Sequence, residues 1–140
     1  MPAISAAEIV RAITEAISAS GEIGQIVSSP RQHPRRFIVT QLNGSFTLTV
    51  YAWTLTFGGR KSLPNEYRIQ MTGVASPLRL AIDGPTVLLG YEPEMNLFAG
   101  FDVERHRRFT AGSPSVQIDK TELKRAETDG LSFTGRAMMR

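Results

Sequence analysis

The sequence predicts an α+β fold, mostly β, with about seven strands in a barrel-like or strongly twisted sheet, an N-terminal helix and a short C-terminal helix. Three observations carry this. One stretch of helical periodicity opens the 140-residue chain, alternation of period two fills its middle, and turn signals recur there about every 8–12 residues. The length fits one β-rich domain over residues 1–140 with a core that needs no disulfide or metal.

The helix is predicted over residues 5–20. Ser5 is its N-cap, Glu8 completes a capping box, and Ile4 is placed to staple against Ile9. Ile9, Val10, Ile13 and Ile17 recur at helical spacing, so one face is apolar and packs on a sheet. Gly21 is the stop. Residues 28–36 (SSPRQHPRR) hold two prolines and read as irregular. The β core then runs over about residues 37–118. Residues 37–42 are β-rich, and Asn43-Gly44 is the preferred dipeptide of a type I′ hairpin turn. Residues 45–56 form the longest strand, with Phe46, Leu48, Val50 and Ala52 on one face and Thr47, Thr49, Tyr51 and Trp53 on the other. Gly58-Gly59 breaks it and leaves Arg60-Lys61 at a loop tip. Shorter strands follow at 67–72, 78–82, 86–91, 97–102 and 115–118, with Asp83-Gly84 as a second turn signal. Residues 120–127 read as a short helix with Gly130 after it, and the GRAMMR tail is expected to fray.

Composition excludes several classes of chemistry. Without cysteine there is no disulfide, Cys-ligated zinc or thiol catalysis, and a reducing compartment fits. No run approaches the ~18 apolar residues of a membrane span. The opening MPAISAAEIV has no basic n-region, so a cytoplasmic protein without membrane contact is expected. No phosphate-cradling Gly-rich loop, HExxH or G-x-S-x-G is present. His33 and His106 both lie beside arginines, whose charge lowers a histidine's pKa and assembles no metal site. No catalytic residue, metal or cofactor is therefore expected, and the chain alone is expected to lack activity. One pattern echoes the PD-(D/E)XK nucleases, which hold magnesium and activate water with an Asp and a downstream (D/E)-x-K. Here Asp102 precedes Glu122-Leu123-Lys124, but Phe101 stands where that motif has proline and Glu122 falls on a helical pattern. A solvated helix face is the better reading.

The charge is more informative. The net value is only +3, yet arginine outnumbers lysine thirteen to three. Arginine's planar fork grips phosphate and guanine edges; a GC-rich genome explains the same bias equally well. The cations form three clusters: Arg31, Arg35 and Arg36; Arg60 and Lys61; and Arg105, His106, Arg107 and Arg108. All are read as loops, and if the loops share one edge of the sheet they make a positive strip for phosphates. Tyr51 and Trp53 share a strand face, where rings stack an unpaired base or, more commonly, fill a core under the helix. Tyr51 is assigned to the core and Trp53 is left open. Residues 112–115 (GSPS) offer hydroxyls and N–H groups to phosphates, or are simply a turn.

The runs NEYRIQMTGV (65–74), VLLGYEPEMNLFAGFDVERHRRF (87–109), SPSVQI (113–118) and DGLSF (129–133) resemble an N-terminal DNA-recognition domain of modular, HNH-type restriction endonucleases. The resemblance extends over roughly residues 37–135. It implies a pseudobarrel-like fold and a role in sensing DNA, including modified DNA, in bacterial restriction or phage defence. The loop cations Arg60, Lys61, Arg105, His106 and Arg108 would then carry the contact, and the nuclease would be a partner domain or subunit. The resulting reading is a recognition module for double-stranded DNA, with candidate contacts at Arg31, Arg35, Arg36, Arg60, Lys61, Arg105, His106, Arg107, Arg108 and Trp53. The alternatives are a small metal-dependent nuclease using Asp102 and Glu122, and an assembly subunit binding a protein through the N-terminal helix. Exposure of Ile9, Ile13 or Ile17 would favour the last, and their burial would argue against it.

Overall fold

The first helix forms where its cap dictates. In the computed structural model, which describes residues 3–58, 62, 64–110 and 114–130, α1 spans Ala6–Ala19. Ser5 Oγ accepts from the Glu8 N–H, and the Glu8 carboxylate accepts from the Ser5 N–H, both at 3.2 Å. This is the reciprocal capping box. Ile4 packs on the same cluster as Ile9 and Ile13, and Gly21 takes left-handed backbone at φ 91°.

The strands are β1 (Ile23–Ile26), β2 (Arg35–Gln41), β3 (Gly44–Thr54), β4 (Thr56–Phe57), β5 (Glu66–Gln70), β6 (Thr86–Glu92), β7 (Leu97–Phe101) and β8 (Ser115–Asp119). The α+β, mostly β class is as expected, but the strands form two sheets, in the order β1-β2-β3-β6-β7 and β4-β5-β8, where one barrel-like or strongly twisted sheet was expected. Neither sheet closes on itself among the described residues. β1 is an addition to the predicted set. It is only four residues long and turns Ile23 outward, so no apolar alternation announces it.

Two turns differ from expectation. The β2–β3 hairpin forms, but Gln41 pairs with Gly44, so Leu42 and Asn43 make the turn. Neither has positive φ, which excludes the type I′ geometry. Asp83-Gly84 makes no hairpin. β6 instead runs parallel to β3, with Tyr51 opposite Leu88. Gly84 is needed there because a Cβ would lie 2.0 Å from the Thr47 carbonyl oxygen.

The strand predicted at 78–82 is also absent. The N–H groups of Leu78, Arg79 and Ala81 donate to Arg107 O (2.8 Å), Tyr51 Oη (3.0 Å) and Thr86 Oγ1 (2.8 Å). With those bonds made to a loop and to side chains, no ladder forms despite the alternating Leu78, Leu80 and Ile82.

The predicted long strand is divided at Leu55, whose N–H donates to Tyr91 O at 2.8 Å. Its side chain is fully buried over Gly90, where a Cβ would come within 2.7 Å of Leu55 Cγ. The missing side chain at Gly90 thus makes room for the chain to pass from the large sheet to the small one.

Alternation along β3 separates two cores. Leu48, Val50 and Ala52 pack with Phe37, Ile9 and Ile13 beneath α1. Tyr51 and Trp53 face the other way, into a core with Leu55, Ile69, Met71, Leu78, Leu88, Val116 and Leu123. Tyr51 is a core residue as expected, but on the face opposite α1 rather than under it. Ile9 and Ile13 are 4% and 3% exposed, and half-buried Val10 and Ile17 pack on the same cluster, so the helix stripe lies mainly against its own sheet.

Two helices complete the chain. α2 (Val103–His106) begins at Asp102, whose carboxylate accepts from the Glu104 N–H at 3.0 Å. α3 (Lys120–Asp129) is capped by Asp119 and ends at left-handed Gly130, φ 84°. No helix among the described residues is long and apolar enough to cross a membrane.

Candidate nucleic-acid interface

Strand register brings two of the basic segments to one level. Phe101 at the end of β7 pairs with Leu88, and Leu88 pairs with Tyr51. Beside Tyr51, Val50 pairs with Arg35, the first residue of β2. Residues 31–34 therefore enter the large sheet, and residues 102–108 leave it, at the same height. Three strand spacings of about 4.8 Å separate them, roughly 14 Å.

Residues 71–79 cross the Tyr51 face between these segments. On one side Leu78 is bonded to Arg107 twice: the Leu78 N–H donates to Arg107 O (2.8 Å), and Arg107 Nε donates to Leu78 O (3.0 Å). The Phe109 N–H donates to Ser76 Oγ at 2.9 Å. On the other side the crossing segment meets His33 and Pro34. Between them lies a cleft of about 190 Å³, lined by His33, Pro34, Tyr51, Gly73, Val74, Ala75, Pro77, Leu78 and Arg79.

The cleft has an ordered aromatic floor. The His33 ring stacks on Trp53 with centroids 4.6 Å apart and planes at 11°, and Trp53 lies nearly parallel to Tyr51 at 6.5 Å. Tyr51 Oη donates to Arg79 O and accepts from the Arg79 N–H, both at 3.0 Å. Trp53 Nε1 donates to Thr72 O at 3.2 Å. Burial, helped by the charge of Arg35, pushes the His33 pKa down to about 4, so the ring is neutral near pH 7. Burial, with the charge of Arg105, also lowers His106. A larger hollow of about 240 Å³ lies elsewhere, between Pro64–Glu66 and Gln117–Asp119. It carries Glu66 and Asp119, and like-charge repulsion makes it a poor seat for phosphate.

The expected contact residues separate on this framework. Arg31, Arg105 and Arg108 are exposed. Arg107 is half-buried and engaged with Leu78. His106 is half-buried and edge-on to Phe101. Arg36 lies on the Tyr51 face opposite Thr49 and is ion-paired with Asp83. Arg35 requires a correction. It is 3% exposed, and its guanidinium donates to Pro30 O (2.6 Å) and Ala52 O (3.1 Å). It anchors the first basic segment from inside and has no surface to offer DNA. Trp53 is a second correction: it is 9% exposed, with one face under His33 and its N–H spent on Thr72. Arg60, Lys61, Gly112 and Ser113 lie outside the described residues. Pro114 O accepts from the Met71 N–H at 2.8 Å, so that part of the GSPS stretch helps hold the crossing segment.

Sequence reasoning missed Arg79. It sits inside an apolar run that reads as a strand, and only the fold brings it out, exposed, between the two basic segments. The nuclease echo finds other uses. Asp102 caps α2, and Glu122 pairs with Arg125 at 3.1 Å on α3. Among the described residues no group of three or more His, Asp or Glu could hold a metal.

Residues 46–137, more than half of the chain, match the family model described as Methylase-associated X1. The chain belongs to this family. The Methylase-associated X1 match begins within β3 and includes the crossing segment, Arg79 and residues 105–108, whereas α1, β1, β2 and His33 precede it. No curated protein and no solved structure matches this Methylase-associated X1 chain.

Proposed function

We propose that this chain is a DNA-binding recognition module that works beside a methylase in a restriction-modification or phage-defence setting. The observation that carries the reading is the convergence of residues 31–36 and 105–108 at one level of the large sheet, with Arg79 between them. Arg31, Arg79, Arg105 and Arg108 are exposed there; Arg31, Arg105 and Arg108 would contact phosphates, releasing counterions and giving affinity. Specificity would come from groups nearer the base edges, with cytosine modification the feature most in keeping with a methylase neighbour. Cleavage, where it occurs, would belong to a partner nuclease of the HNH or a similar type. The partner enzyme would dock on the face of β1–β2 turned away from α1, where Ile23 and Ile38 are 67% and 38% exposed and lie diagonally across the ladder in one apolar spot.

The test is binding of the purified chain to a labelled duplex, plain and cytosine-methylated, across about 50–200 mM salt. Affinity should fall steeply with salt and weaken when Arg79, Arg105 and Arg108 are replaced by alanine. Unchanged binding by a folded triple variant would move the interface elsewhere. No binding to any duplex would leave the exposed β1–β2 face, and a purely protein partner, as the better reading.

A further inference from the structure

The cleft beside His33 differs in kind from the arginine rim. Pro34, Val74, Ala75 and Pro77 give it apolar walls, and no carboxylate lines it. Apart from the Tyr51 hydroxyl, already engaged with Arg79, its side-chain polar groups are those of His33 and Arg79.

His33 acts as a donor there. Its Nδ1 is buried without a partner. A neutral imidazole has one proton, and stranding a lone pair in the interior is less costly than stranding an N–H. The proton therefore sits on Nε2. The cleft thus presents side-chain hydrogen-bond donors next to a stacked ring pair, His33 on Trp53. At about 190 Å³ it is smaller than the roughly 300–1,000 Å³ of sites for drug-sized ligands. One planar ring fits that size; a dinucleotide cofactor does not.

We infer that this cleft receives a single extrahelical cytosine, plain or 5-methylated, with its O2 and N3 acceptors turned to His33 and Arg79 and a 5-substituent against the apolar walls. Cytosine offers two adjacent acceptors on that edge, whereas thymine carries an N–H at N3. A base inside a duplex cannot reach such a cleft, so it must swing out of the stack or be unpaired already. The arginines on either side would hold the flanking phosphates while it does so. The inference rests on the DNA-binding reading and adds to it the element that reads a base.

The chain has one tryptophan, and it is stacked on His33, a wall of the cleft, so a change at His33 is read in a single emitter. Labelled duplexes with one bulged 5-methylcytosine, one bulged thymine or no bulge would be titrated, following both duplex anisotropy and Trp53 emission. The bulged cytosine should bind roughly tenfold or more tighter than the paired duplex, as one well-made polar readout warrants, and should change Trp53 emission. Ala75→Phe, at an exposed position, should fill the cleft and abolish this preference while leaving paired-duplex affinity and its salt dependence intact. His33→Phe keeps a ring over Trp53 and should lose the preference for cytosine over thymine.

Equal affinity for bulged and paired duplexes with unchanged Trp53 emission, while salt-dependent binding persists, would overturn the cleft assignment and leave the DNA-binding reading standing. A preference that survives Ala75→Phe would overturn it as well. Failure of the folded chain to bind any DNA would overturn both.

Discussion

The two faces of β3 are covered in different ways. Over Leu48, Val50 and Ala52 lies α1, a regular helix whose backbone groups are satisfied within itself and at its Ser5 cap. It brings only apolar side chains to the contact, and that side of the molecule is closed. Over Tyr51 and Trp53 lie the small sheet, α3 and the irregular crossing segment. Irregular chain must find partners for its N–H and C=O groups outside any ladder. It finds them on the Tyr51 hydroxyl, the Trp53 indole, Arg107 and Thr86. Polar and cationic groups are thereby drawn to this face, and a cleft remains where the covering is incomplete. A regular cover makes a core, and an irregular one makes a core with a site in it.

Core truncations should break this contrast most visibly. Phe37→Ala, fully buried on the helix face, should cost about 3–5 kcal/mol in denaturant unfolding and leave the DNA affinity of the folded fraction unchanged. Leu78→Ala on the other face, 1% exposed, should cost about 2–5 kcal/mol and also weaken DNA binding, because the lost side chain anchors in the core the crossing segment whose main chain at residue 78 holds Arg107. Intact binding in Leu78→Ala would show that the crossing segment and the basic rim are independent.

A smaller effect on stability and a larger one on function are expected from Arg105→Ala with Arg108→Ala. The slope of log affinity against log salt should fall by about two, one per lost phosphate contact, with no change in thermal midpoint. A destabilised double variant would instead make these side chains part of the scaffold. On the closed face, Ser5→Ala should cost about 1 kcal/mol through the lost N-cap and leave binding alone.

The smallest effect is in pH dependence. His33 is depressed to about 4 in the fold and titrates near 6.5 when unfolded. The unfolded chain therefore takes up the proton first. Stability is fully present above about pH 6.5 and is lost as pH falls toward 4. In His33→Phe the decline of thermal midpoint over that window should be shallower, and an identical decline would assign it to other groups, His106 among them.

Much of the local structure was legible. The Ser5–Glu8 cap, the Ile9–Ile13 stripe, the residues on each face of β3 and the stop at Gly21 all follow from interactions within a few residues, and all are where the pattern predicts; the last helix, expected over residues 120–127, runs on to Asp129. Legibility stops where a residue's role depends on what covers it. Arg35 and Arg36 are neighbours of one type, and period-two alternation puts them on opposite faces. One is buried on backbone carbonyls and the other is half-exposed and paired with Asp83. Trp53 reads as a ring free to stack a base until His33, twenty residues earlier in the chain, closes over it.

The sequence by itself therefore determined the elements with strong local signals, the faces they bury, and a basic character concentrated in short runs. The tertiary structure alone decided that β3 and β6 run parallel, that the chain changes sheets over Gly90, and that residues 78–82 bond to a loop instead of a strand. It also decided which arginines meet. Caps and alternation are written in contacts between near neighbours. Register between distant strands, and the fate of a charged side chain among them, is set by long-range packing and by which backbone groups remain to be satisfied once the cores have formed.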